Sequence, residues 1–123
     1  MASKVLIIED DTYLLPVIAE AFNRGGFETL SANDGNAGMR IFHAERPVLV
    51  VTDIVMADKE GLATIIELKK SPSPPKVIAI SGGGRIAGSH VLRWAKHLGA
   101  DEVMAKPFQM AALVAAARQL LAQ

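Results

Sequence analysis

Apolar residues in this chain fall into two alternating kinds of segment. Val5-Leu-Ile-Ile8, Val48-Leu-Val-Val51, Val77-Ile-Ala-Ile80 and Val103-Met-Ala105 are short apolar runs without polar alternation, the pattern of strands buried on both faces of a parallel sheet. These four are expected to be central strands. Phe27-Glu-Thr-Leu-Ser31 alternates instead, as a strand at or near a sheet edge does when one face is partly wet. Between the runs, apolar residues recur at helical spacing: Leu14, Ile18, Ala21 and Phe22; Ala37 and Ile41; Leu62, Ile65 and Ile66; Ala87, Val91, Trp94, Ala95 and Leu98. A last stripe, Met110, Leu113, Val114, Ala117, Leu120 and Leu121, runs nearly to the C-terminus. Strict strand-helix alternation predicts an α/β fold, an open parallel sheet with right-handed crossovers and helices on both faces.

Nothing along the chain divides it. Its 123 residues suit one hydrophobic core, and Ser71-Pro72-Ser73-Pro74-Pro75 reads as a helix-to-strand turn. A single domain over residues 1–123, with no output domain attached, is the expectation. Hydrophobic residues make up 50% and charged residues 21%, which excludes disorder. Thirteen basic and thirteen acidic side chains cancel, so no basic excess exists to bind a nucleic-acid backbone or an anionic membrane. With no cysteine, disulfides, thiolate catalysis and Cys-based metal sites are excluded. The longest apolar run, Met110 to Ala117, falls far below the roughly 20 residues that span a bilayer. No signal-peptide pattern precedes Val5, and a cytoplasmic location is expected.

In open parallel sheets the functional crevice lies at the carboxyl ends of the strands, beside the point where strand order reverses. Reading each run to its end places Glu9 and Asp10 after the first strand, Asp53 after the third, Ser81 after the fourth, and Lys106-Pro107 after the fifth. Three carboxylates crowded on one rim repel one another, and a cation among them makes the ionised cluster tolerable. Oxygen ligands on a rim open to water suit Mg²⁺. Lys106 is a point charge fit for a phosphoryl oxygen, and Ser81 can donate a hydrogen bond to another.

This constellation resembles the receiver domain of two-component response regulators, from about Lys4 to the last helix. The resemblance implies a flavodoxin-like doubly wound fold with a five-stranded parallel sheet in the order 2-1-3-4-5. It makes Asp53 the phosphoacceptor, Asp10 a direct Mg²⁺ ligand, Glu9 a ligand through water, and the backbone carbonyl of Val55 the remaining protein ligand. Ser81 matches the switch hydroxyl, and Lys106-Pro107-Phe108 matches the family's Lys-Pro-Phe segment, whose Lys-Pro bond is usually cis. Gly61, eight positions after Asp53, fits the family's loop. The implied function is not that of an enzyme but of a phosphorylation-controlled switch that assists its own phosphorylation and dephosphorylation. The donor would be a sensor histidine kinase or a histidine phosphotransfer protein. The output would be a downstream protein partner, bound by the surface of helix 4, strand 5 and helix 5, or a relay of the phosphate.

Two departures from the family pattern stand out. Position 103, often Tyr or Phe, is Val103, so aromatic switching is absent; and Ala57 stands where Pro is common after the Met of the Asp53 loop. Ser81 is followed by Gly82-Gly83-Gly84, read as a hinge because it lacks the spacing of a phosphate-binding glycine loop. Asp11 reads as an N-cap or first-turn acid. His43, His90 and His97 read as surface residues, and Trp94 as packing on an apolar stripe, with partial exposure at a partner interface left open. Two competing functions remain: a docking module that never uses phosphate, and a flavodoxin-like flavin carrier, which an acidic crevice suits less well than a metal.

Overall fold

In the computed structural model, residues 2–54, 61–81 and 93–123 are described. Expectations about Val55, Met56, Ala57, Gly82, Gly83, Gly84, Ala87, His90 and Val91 lie outside the described residues. Five strands, β1 (Lys4–Ile8), β2 (Glu28–Ala32), β3 (Leu49–Asp53), β4 (Lys76–Ser81) and β5 (Glu102–Ala105), form one sheet in the order β2-β1-β3-β4-β5. All neighbours are parallel. Helices α1 (Leu14–Arg24), α2 (Gly35–Glu45), α3 (Gly61–Lys69), the described part of α4 (93–97) and α5 (Met110–Leu121) connect or follow them. The flavodoxin-like fold and the strand order expected from the sequence are both present.

Local chemistry marks the helix ends. Asp11 Oδ1 accepts from the backbone N–H groups of Tyr13 and Leu14 at 2.9 and 3.1 Å, closing the turn that leads into α1, while Pro16 occupies the first turn, where no intrahelical N–H is needed. The helix ends as Phe27 N–H donates to Phe22 C=O and Gly26 turns at φ 91°, a conformation that glycine adopts without a Cβ clash. Asp34 caps α2 by accepting from Ala37 N–H at 2.7 Å.

Strand alternation splits the core in two. Leu6, Ile8, Val50, Val77 and Ala79 face Met39, Phe42, Ile65, Leu68 and Ala95 of α2, α3 and α4. Val5, Ile7, Leu49, Val51, Ile78 and Ile80 face Ile18, Phe22, Leu113, Ala117 and Leu120 of α1 and α5. β1, β3 and β4 therefore carry apolar side chains on both faces, which is why their sequences show no alternation.

Three sequence expectations need correction. β5 is an edge strand, as the order 2-1-3-4-5 requires and its apolar run did not indicate; Val103 and Met104 are half-buried on opposite faces, and so short a run cannot distinguish a strand fully covered on both faces from one partly covered on each. Trp94 is not core packing, being 59% exposed, because α4 seats on the sheet through Ala95. The buried face of α2 runs through Gly35, Gly38, Met39 and Phe42, with Ala37 and Ile41 at its margin; two glycines with no hydropathy of their own hid that stripe. Among the described residues no helix is long and apolar enough to cross a membrane.

Candidate functional site

The strand register brings the rim together. Asp53 pairs with Ile80, and Ser81 with Ala105, so β4 and β5 end on one level and β3 ends one residue short of it. Lys106 N–H donates to Ser81 C=O at 2.9 Å, Ile54 N–H to Ile80 C=O at 2.9 Å, and Glu9 N–H to Ala32 C=O at 3.0 Å. These bonds carry the sheet ladder one residue past its strands and fix the starting points of three loops. The Lys106-Pro107 peptide is cis.

Glu9, Asp10 and Asp53 each offer a carboxylate oxygen, and the three oxygens lie within 4.8 Å of one another. Glu9 is 1% and Asp53 4% exposed, whereas Asp10 faces solvent. The Lys106 ammonium bridges the two buried acids, 2.9 Å from Asp53 Oδ2 and 3.2 Å from Glu9 Oε1. Ser81, 2% exposed, closes the end of β4. Val103 lies inside β5, its side chain packed at the margin of the core on the α2–α4 face. Glu9, Asp10, Asp53, Ser81 and Lys106 thus converge at the carboxyl end of the sheet, while Val55 and Gly82 lie outside the described residues.

Burial above all, and then the Asp53 carboxylate, push the Glu9 carboxyl up to about 7. A backbone N–H from Asp11 on Oε2, at 3.1 Å, and the nearby Lys106 charge oppose the rise. Burial pulls the Lys106 ammonium down, but its hydrogen bond and attraction to Asp53, with the charge of Glu9, outweigh this and hold it above its ordinary value. Glu9 Oε1 is sealed from solvent with no hydrogen-bond partner among the described residues, since its approach to Lys106 lacks hydrogen-bond geometry. The site is therefore short of positive charge, and its donors are all hard oxygens, the set that Mg²⁺ takes with water completing its shell.

Two neighbours complete the acceptor. Thr52, fully buried, donates its hydroxyl to Asp53 C=O at 3.0 Å. Sequence reading passed over it, although a hydroxyl residue in an otherwise apolar strand directly before the acid was a signal. Gly61 N–H donates to Ile54 C=O at 2.7 Å, so α3 begins against the end of β3.

A family profile for the response regulator receiver domain matches residues 5–118. The transcriptional regulatory protein CpxR of Klebsiella pneumoniae is 30% identical over 119 residues, covering 97% of this chain and 49% of that protein. PrrA of Mycobacterium bovis, also a transcriptional regulatory protein, is 30% identical over 122 residues, covering 96% and 49%. The chain spans about half the length of these relatives. The solved receiver domain of NtrX from Brucella abortus superposes with a TM-score of 0.87 at 28% identity, covering 97% of this chain and 98% of that one. A CheY-like receiver domain protein of Methanospirillum hungatei reaches 0.88 at 24% identity, covering 98% and 94%, and shares the fold. With the sheet order, the acidic rim and this match over most of its length, the chain belongs to the response regulator receiver domain family.

Proposed function

We propose that the chain is a phosphoacceptor switch in which Asp53 takes a phosphoryl group from a phosphohistidine. The observation that carries this is the buried Asp53 carboxylate at the rim, with the Lys106 ammonium 2.9 Å from Oδ2 and oxygens of Glu9 and Asp10 within 4.8 Å. A carboxylate oxygen of Asp53 forms the new O–P bond as the P–N bond to the donor imidazole breaks, and the electron pair of that bond returns to the ring nitrogen. Little covalent work falls to the protein, which aligns the nucleophile and neutralises charge.

Asp10 and Asp53 would hold Mg²⁺ directly, with Glu9 acting through water and the Val55 carbonyl as a further ligand. When bound, the ion offsets charge on the phosphoryl oxygens and on the crowded carboxylates. Lys106 supplies a fixed positive charge to one phosphoryl oxygen. Ser81, at the end of β4, donates its hydroxyl to another and draws the segment beginning at Gly82 toward the site. Water attacking the acyl phosphate in the same pocket ends the signal, so the domain assists its own dephosphorylation without being an enzyme of separate substrates.

Receiver domains of response regulators are phosphorylated by histidine kinases; the donor here is a sensor kinase or a histidine phosphotransfer protein, in the cytoplasm. The output is a rearranged surface of α4, β5 and α5 that docks a protein partner, or a relay of the phosphate. Val103 in place of a ring leaves that rearrangement to backbone and loop shifts. Intact mass after incubation with Mg²⁺ and phosphoramidate tests the reading. A gain of one phosphoryl group in the wild type and none in Asp53→Asn is expected; no gain in folded wild-type protein overturns it and favours phosphate-independent docking.

A further inference from the structure

Resting on the phosphoacceptor reading, we propose that Thr52 and Gly61 are positioning residues that clamp the Asp53–Ile54 peptide and so aim the Asp53 carboxylate. Two bonds hold this peptide, and a third holds the Ile54 carbonyl that follows it. Ile54 N–H bonds to Ile80 C=O of β4, the Thr52 hydroxyl reaches Asp53 C=O, and Gly61 N–H reaches Ile54 C=O. Thr52, Asp53, Ile54 and Gly61 are all buried, so no water replaces a bond that is lost.

Gly61 is the tightest part of the clamp. A Cβ at this position would fall inside contact distance of the Asp53 carbonyl oxygen and Ile54 Cα, and 2.8 Å from the Ile54 carbonyl oxygen. All three are backbone atoms, which cannot swing aside as a side-chain tip does. Any side chain at 61 must therefore push the Asp53–Ile54 peptide back or lift the first turn of α3 off β3. Lifting α3 is resisted by Ile65 and Leu68, which pack in the same core cluster as Ile54. The displacement then falls on Asp53, whose carboxylate must keep its distance to Lys106 while facing an in-line donor. Neither Thr52 nor Gly61 touches the phosphoryl group; both act through the backbone of the nucleophile.

A misplacement of about 1 Å costs a positioned reaction on the order of 100-fold, and loss of one buried hydrogen bond about fivefold. Phosphorylation by phosphoramidate with Mg²⁺, followed by intact mass over a range of donor concentrations, should show the maximal rate falling by those amounts in Gly61→Ala and Thr52→Val. The donor concentration at half-saturation should stay unchanged, since neither residue meets the donor. Leu120→Ala, a core truncation at the far end of α5, should lower the melting temperature and leave the rate unchanged. Wild-type maximal rates in both clamp variants overturn the proposal, as does an equal slowing in Leu120→Ala. If Gly61→Ala does not fold, Thr52→Val decides by the same criterion. A wild type that takes no phosphate overturns the phosphoacceptor reading instead. The clamp is then judged by Mg²⁺ titration of the Asp10, Asp53 and Lys106 amide resonances, where weaker binding in Thr52→Val supports it and equal binding overturns it.

Discussion

Lys106 and Asp53, 53 residues apart in sequence, meet through a 2.9 Å ion pair that is also within reach of Glu9. The ammonium is the positive charge that lets two buried acids share one rim. Lys106→Met should destabilise the metal-free protein on the order of 2 kcal/mol at pH 8, because it removes the cation shared by two buried carboxylates. It should also slow phosphoryl uptake at least tenfold. Urea unfolding and intact-mass kinetics read the two effects, and unchanged stability would refute the account of the pair.

The raised Glu9 pKa makes stability depend on pH in a stated direction. Between its ordinary 4.5 and about 7, the folded protein holds a proton that the unfolded chain releases, so unfolding free energy falls as pH rises through this window. In chelator the loss should be complete once the pH passes about 7. Glu9→Gln should flatten the profile, and Mg²⁺ should restore stability above pH 7. A metal-free profile that rises between pH 5 and 7 would contradict the burial of Glu9.

At the opposite end of the sheet Asp101 ties several elements together. Its Oδ2 accepts from Lys69 Nζ of α3 at 2.9 Å and from Val77 N–H of β4 at 2.8 Å, while its carbonyl accepts from Lys96 Nζ of α4. Asp101→Ala strands the N–H of the fully buried Val77 and should cost about 2–3 kcal/mol. Thermal unfolding would record it, and the phosphorylation rate at 25 °C should stay as in the wild type.

Trp94, 59% exposed on α4, should be open to acrylamide quenching, and Trp94→Ala should change stability by less than about 0.5 kcal/mol. Strong protection of the indole in the free protein would mean that α4 seats differently on the sheet.

Much of this molecule was legible in its residues. Uniform apolar runs such as Val5–Ile8 marked strands covered on both faces, and acids or a lysine at the run ends marked the rim, because a parallel sheet displays those positions together whatever the loops between them do. The chain order alone thus placed Glu9, Asp10, Asp53, Ser81 and Lys106 at one end. Tertiary structure decided what hydropathy cannot encode. Edge or centre for β5 depends on which strand it pairs with, and the exposure of Trp94 depends on how α4 is rotated over Ala95. The same holds for Glu9: its burial and its raised pKa come from the distance between side chains supplied by different strands. Gly38 and Gly61 carry their meaning only through the atoms pressed against them, since a missing side chain leaves no pattern to read until the neighbouring backbone or Ile8 fills its place.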